Sequence, residues 1–108
     1  MDEVERLLRR LALNDEESVG RVLVGDPVGA RRAEIEPKLE VFAQLAALLA
    51  LGGATTSLRT AVHRAADMGA SESEIVEVLV AIGPVVGFAR VVAAAPRLAA
   101  ALGYDLDE

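Results

Sequence analysis

The chain is expected to be all-α, a single-domain helical bundle of about six helices. Three observations predict this. Leu, Val and Ala recur at i, i+3, i+4 and i+7 along most of the 108 residues, the spacing of one buried helix face. The segments marked in this way are bracketed by helix punctuation: Pro37 and the pair Ser71/Glu74 at starts, Gly52-Gly53 and Gly69 at stops. No run alternates apolar and polar residues as a half-buried strand would, and no repeat with a period of roughly 20 to 50 residues is present. Hydrophobic residues make up 53% of the chain, with one Tyr, two Phe and no Trp. The core must therefore be leucine, valine and alanine packed at close range. At this length one such core buries about two-thirds of the unfolded surface.

Residues 2–12 place Val4, Leu7, Leu8 and Leu11 at helical spacing, with glutamates and arginines on the other face. Asn14 with Glu17 resembles a capping box for a second short helix carrying Val19, Val22 and Leu23. Gly25-Asp26-Pro27 ends it, and residues 25–33 form a polar connection. Residues 1–33 are thus short helices and a link, ahead of a main core. Pro37 suits a helix start, and the helix runs from about Lys38 to Leu51. From Val41 onward it is apolar on every face, so a partner subunit is expected to supply the cover that a small domain lacks.

Thr55 or Thr56 can cap the next helix, whose stripe is Leu58, Ala61, Val62 and Ala65 and whose C′ residue is Gly69. Thr56, Arg59, His63 and Ala66 form a neighbouring ridge at i, i+3, i+7 and i+10. Ser71 and Glu74 open another helix with Ile75, Val78, Leu79 and Ile82 buried. Gly83-Pro84 is expected to break it, a helix from about Val85 to Ala95 follows, and Pro96 kinks that helix or opens a last one ending near Gly103. Asp105, Asp107 and Glu108 read as a solvated tail.

Charge narrows the function classes. The net charge is −6, with seven basic against ten acidic residues in 1–54 and four against seven in 55–108. No basic patch suits nucleic acid or an anionic membrane. With no cysteine there is no disulfide frame, thiolate nucleophile or thiolate metal site, which suits the cytoplasm. The charged, leucine-interrupted N-terminus lacks the apolar core of a signal peptide. Neither apolar stretch, Val41 to Ala54 or Val78 to Ala89, reaches the ~20 residues of a membrane span.

From Lys38 to Leu98 the chain resembles the carboxymuconolactone decarboxylase family, of the alkylhydroperoxidase D-like superfamily. The residues that carry the resemblance are the apolar helix ending Leu51-Gly52-Gly53, then His63 with Ala65-Ala66, Gly69-Ala70-Ser71, Glu74-Ile75, Glu77-Val78 and Gly87. The resemblance implies an all-helical homo-oligomer, a trimer or hexamer, with a site near the histidine at a subunit boundary. The peroxidase branch carries Cys-x-x-Cys-x-x-x-His, and Thr56 and Arg59 stand at those cysteine positions. Neither can form a disulfide, which excludes cysteine-dependent peroxide reduction. Gln44 stands where the family has a glutamate, and an amide cannot serve as a general base.

His63 is the candidate catalytic residue, a general acid or base for a small carbonyl or lactone substrate. Its other reading is a histidine that hydrogen-bonds within a subunit interface. Arg59, one turn away, fits a substrate carboxylate or an intersubunit ion pair. Gln44 is a substrate-binding or hydrogen-bonding partner. One histidine and no cysteine give no metal-ligand set, and no glycine-rich stretch has the lysine of a phosphate loop, so neither metal nor cofactor is expected. Residues 65–75 also fit a helix-turn-helix pattern, but its second helix would present Glu72, Glu74 and Glu77 to phosphates. Two functions remain: cofactor-free decarboxylation or proton transfer on a small organic acid, or a catalytically silent oligomer that binds small molecules or serves as a scaffold.

Overall fold

Six helices form in the order α1 (Glu3–Ala12), α2 (Glu16–Val24), α3 (Pro37–Leu51), α4 (Thr55–Asp67), α5 (Glu72–Val86) and α6 (Phe88–Leu102). The computed structural model describes residues 2–24 and 35–106, among which there is no strand. The chain divides into two units, Met1–Glu34 and Ile35–Glu108. The expected turn at Gly25-Asp26-Pro27, the connection 25–33, and Asp107 and Glu108 lie outside the described residues.

The first unit is an α1–α2 pair. Asp2 caps α1 by accepting the Glu5 N–H at 2.8 Å. Glu3 and Glu5 lie in the first turn and Arg9 and Arg10 in the last, which suits the helix dipole. The start of α2 corrects the sequence expectation. Asn14 does not cap it but takes a left-handed conformation, φ 58°, which a short polar side chain tolerates. The cap moves one residue on: Asp15 accepts the Ser18 N–H at 3.1 Å and the Ser18 hydroxyl at 2.8 Å. Those two bonds hold the Asp15 carboxyl below its ordinary range.

In the second unit α3 packs on α4, α5 and α6, and α6 packs in turn on α4 and α5. Val41, Leu45 and Leu49 line the buried side of α3, and Leu58, Ala61, Val62 and Ala65 that of α4. Ile75, Val78 and Leu79 from α5 and Ala94, Leu98 and Ala101 from α6 complete the core. The alanines on α4 and α6 let those backbones approach closely. Within this unit α3 is not covered all round, since Ala43, Ala47 and Leu51 are exposed.

Both ends of α3 are tied by tertiary contacts. At its start Lys38 Nζ meets Glu74 Oε2 at 2.9 Å. The other oxygen, Glu74 Oε1, accepts the Ser71 N–H at 3.0 Å while Ser71 Oγ accepts the Glu74 N–H at 3.1 Å, so the expected capping box forms in full. At the far end α3 has no basic residue in its last turn; instead Arg97 donates to the Gly53 carbonyl and Arg90 to that of Ala50. Cations from α6 thus cover the negative end of α3.

Three helix boundaries differ from expectation. α4 begins at Thr55 after Ala54 as its N-cap, which offers no side-chain hydrogen bond, and neither Thr55 nor Thr56 is the cap. Gly83-Pro84 does not break α5, which runs to Val86, and Pro96 lies inside α6. Each proline lacks the N–H that would bond the carbonyl four residues back. Those residues, Val80 and Val92, are exposed, so both prolines fall on turns whose preceding residues face solvent, where a missing backbone bond is tolerated. The break falls at Gly87, with φ 90° and ψ 165°, a conformation that is essentially glycine's alone. Gly69 closes α4 as expected, with φ 89° and the Ala70 N–H on the Ala65 carbonyl at 3.0 Å.

Leu45 is fully buried, so Leu45→Ala is expected to cost about 3 kcal/mol and Ser71→Ala about 1 kcal/mol in urea unfolding. A second expectation concerns acid. The Ser71 N–H bond and then Lys38 lower the folded-state pKa of Glu74 below its ordinary 4.5. Its contribution is present above the unfolded pKa and is lost as pH falls through the folded one. Glu74→Gln should flatten the acid limb of the stability profile below about pH 4.5, and an unchanged limb would contradict the contact.

Candidate functional site

Helix α4 carries polar groups on both flanks of its buried stripe, and each flank borders a cleft. The first cleft lies between α3 and α4, has a volume of about 250 Å³, and is lined by Gln44, Thr56, Ser57, Thr60 and Arg64 beside Leu48 and Ala61. Thr56, Thr60 and Arg64 are four residues apart and so stack along one side of the helix. Arg64 Nη1 donates to Gln44 Oε1 at 2.8 Å, and Thr60 Oγ1 donates to the Thr56 carbonyl at 3.1 Å. No carboxylate lines this cleft. The Arg64 guanidinium, bonded to a neutral amide, keeps its full positive charge and further donors for a guest.

The second cleft, of about 240 Å³, is lined by His63 and Ala66 from α4, Glu72 and Ile75 from α5, and Ala101 and Leu102 from α6. His63 is exposed. Asp67 stands one turn on in α4, and the fold brings a second carboxylate, Glu72 from the first turn of α5, to the lining of the same cleft. Tyr104 beyond α6 donates its hydroxyl to Glu72, at 2.9 Å to Oε2 and 3.2 Å to Oε1. Hydrogen bonding to that carboxylate, and its charge, raise the Tyr104 pKa above the ordinary 10.0.

The three residues singled out in the sequence therefore do not form one constellation within a chain. Gln44 lines the first cleft, His63 the second, and Arg59 is exposed and lines neither. Thr56 and His63, on one ridge by spacing, border different clefts. Arg64 is the partner of Gln44 that sequence reasoning passed over, and Glu72 and Tyr104 are the groups it missed beside His63. Arg64 carried a signal in its i, i+4, i+8 relation to Thr56 and Thr60. Glu72 carried none, because its place depends on how α5 packs.

An apolar cleft between α3 and α5, with Phe42, Val78 and Ala81 beside Glu74 and Glu77, offers shape with little polar recognition. Among the described residues, no group of three or more His, Cys, Asp or Glu side chains is placed to hold a metal ion, and no helix is long and apolar enough to cross a membrane.

Tyr104 is the only tyrosine of the chain, so its ionisation is directly visible as phenolate absorbance. The neutral hydroxyl donates to Glu72, so its contribution to stability is present below the unfolded pKa and is lost as pH rises through the higher folded one. Wild-type protein should titrate above pH 10.0, and Glu72→Gln should return the midpoint to about 10. Equal midpoints in the two proteins would rule the contact out. Comparison with known proteins gives no match to a family model, a curated protein or a solved structure.

Proposed function

We propose that the chain is a subunit of a cytoplasmic, homo-oligomeric protein of the carboxymuconolactone decarboxylase-like kind, a trimer or hexamer, that binds a small organic acid between α3 and α4. The observation that carries this reading is the Arg64 guanidinium held by Gln44 at 2.8 Å in a cleft with no carboxylate. A carboxylate guest completes that arrangement, because the planar guanidinium donates two parallel bonds to it. The hydroxyls of Thr56, Ser57 and Thr60 border the same space and supply orientation. A cavity of about 150 Å³ admits benzene, so the cleft suits a guest of modestly larger size.

Self-association is supported by exposed apolar side chains in the second unit. Leu51, Val85 and Phe88 are 82%, 86% and 85% exposed. Solitary exposed apolar residues are ordinary, but three nearly bare large ones on one small unit favour a covered surface.

A second reading, cofactor-free proton transfer or decarboxylation on a small acid or lactone, is favoured by the cleft that His63 shares with Glu72. There an imidazole can move the proton, with a carboxylate lining the same space. Arg59 enters neither reading within one chain.

Calorimetric titration with benzoate and succinate tests the first reading. Wild-type protein should bind one of them, and Arg64→Leu should weaken that binding at least tenfold, about 1.4 kcal/mol; equal affinity of the two proteins would sink the assignment. For the second reading, a panel of β-keto acids and lactones is assayed with wild type, His63→Ala and His63→Gln. Turnover that survives both substitutions would remove His63 from proton transfer.

A further inference from the structure

We infer that α1 is a homotypic docking surface, on which a second copy of this chain lays its own α1 in antiparallel orientation. The proposal goes beyond ligand binding and uses none of the cleft residues. Val4, Leu7 and Leu8 are 69%, 48% and 62% exposed, Leu11 is half-buried, and no residue of α1 is buried. These four follow the i, i+3, i+4, i+7 pattern, so they form one continuous stripe along the helix. Contact with α2 leaves that stripe open. At ten residues the helix is below the roughly 12 to 15 that stand alone in water, so its stability calls for a packed partner.

Charge selects the occupant. The N-terminal half of α1 and its cap carry Asp2, Glu3 and Glu5 against one cation, Arg6, and are net acidic; the C-terminal half carries Arg9 and Arg10. Parallel pairing would set like charges side by side. Antiparallel pairing sets each acidic half against a basic half and opposes the two helix dipoles. One two-fold axis between Leu7 and Leu8 then makes every contact twice, with Val4 beside the partner subunit's Leu11. A uniformly acidic surface such as an anionic membrane would repel the net-acidic half of the helix, whereas a second α1 sets that half against a basic one, with Glu5 facing the basic end.

The absence of native cysteine makes the geometry testable by single introduced thiols in the full chain. Under mild oxidation, Leu8→Cys should cross-link to itself, and a mixture of Val4→Cys and Leu11→Cys should cross-link at least tenfold more efficiently than Val4→Cys alone. Self-linking of Val4→Cys as efficient as the mixture would establish parallel pairing and overturn the proposal. No intermolecular cross-link in any of the three at micromolar concentration would mean that the stripe is covered otherwise, and would overturn it too. Leu7→Ser with Leu8→Ser, at exposed positions, should lower the sedimentation mass while keeping the helical circular dichroism and the benzoate or succinate affinity. An unchanged mass would contradict the docking surface, and loss of affinity alone would bear only on the ligand cleft.

Discussion

The second unit depends on the line Val41–Leu45–Leu49 along α3. These side chains are at most 1% exposed, and α4, α5 and α6 all pack against α3. Four-residue spacing keeps the line on one side of the helix, where α4, α5 and α6 can share it. Because the core has few aromatics, it relies on many aliphatic contacts at close range, each weak but numerous. A void beneath α3 would loosen three helix pairs at once, which places this line above any single polar contact in consequence.

Polar contacts then set the position of α3 along its own axis. Lys38 reaches Glu74 at one end, while Arg97 and Arg90 hold carbonyls at the other. The half-buried ion pair, still screened by solvent, adds little stability by itself. Its value is directional, since an aliphatic interface permits sliding that hydrogen bonds of fixed length oppose. Once α3 is held in this register, Gln44 stands opposite Arg64 and the first cleft acquires its one oriented cation.

The helical phase of α4 separates two chemistries. His63 and Arg64 are adjacent in sequence but about 100° apart around the axis, and they border different clefts. The Arg64 guanidinium therefore lies on the α3 side of the helix, while the His63 imidazole lies on the side of α5 and α6, in the cleft that Glu72 also lines. This separation is why binding and proton transfer are distinct readings within one chain.

The sequence by itself determined the helices, because periodicity, the Ser71–Glu74 box and the stop at Gly69 are local signals with local causes. It also identified all four buried residues of α4 and the buried residues of α5. A wrong start occurred where two adjacent residues could cap, at Asn14 and Asp15, and a wrong break where a proline rule met an exposed helix face, at Pro84; at Pro96 the alternative of a new helix fell away, since that proline lies inside α6. Tertiary structure alone decided which polar groups meet. Arg64 with Gln44 spans 20 residues, Tyr104 with Glu72 spans 32, and Arg97 with Gly53 spans 44. Such pairs leave no periodic trace in the chain, because they follow from the rotation and register with which whole helices pack.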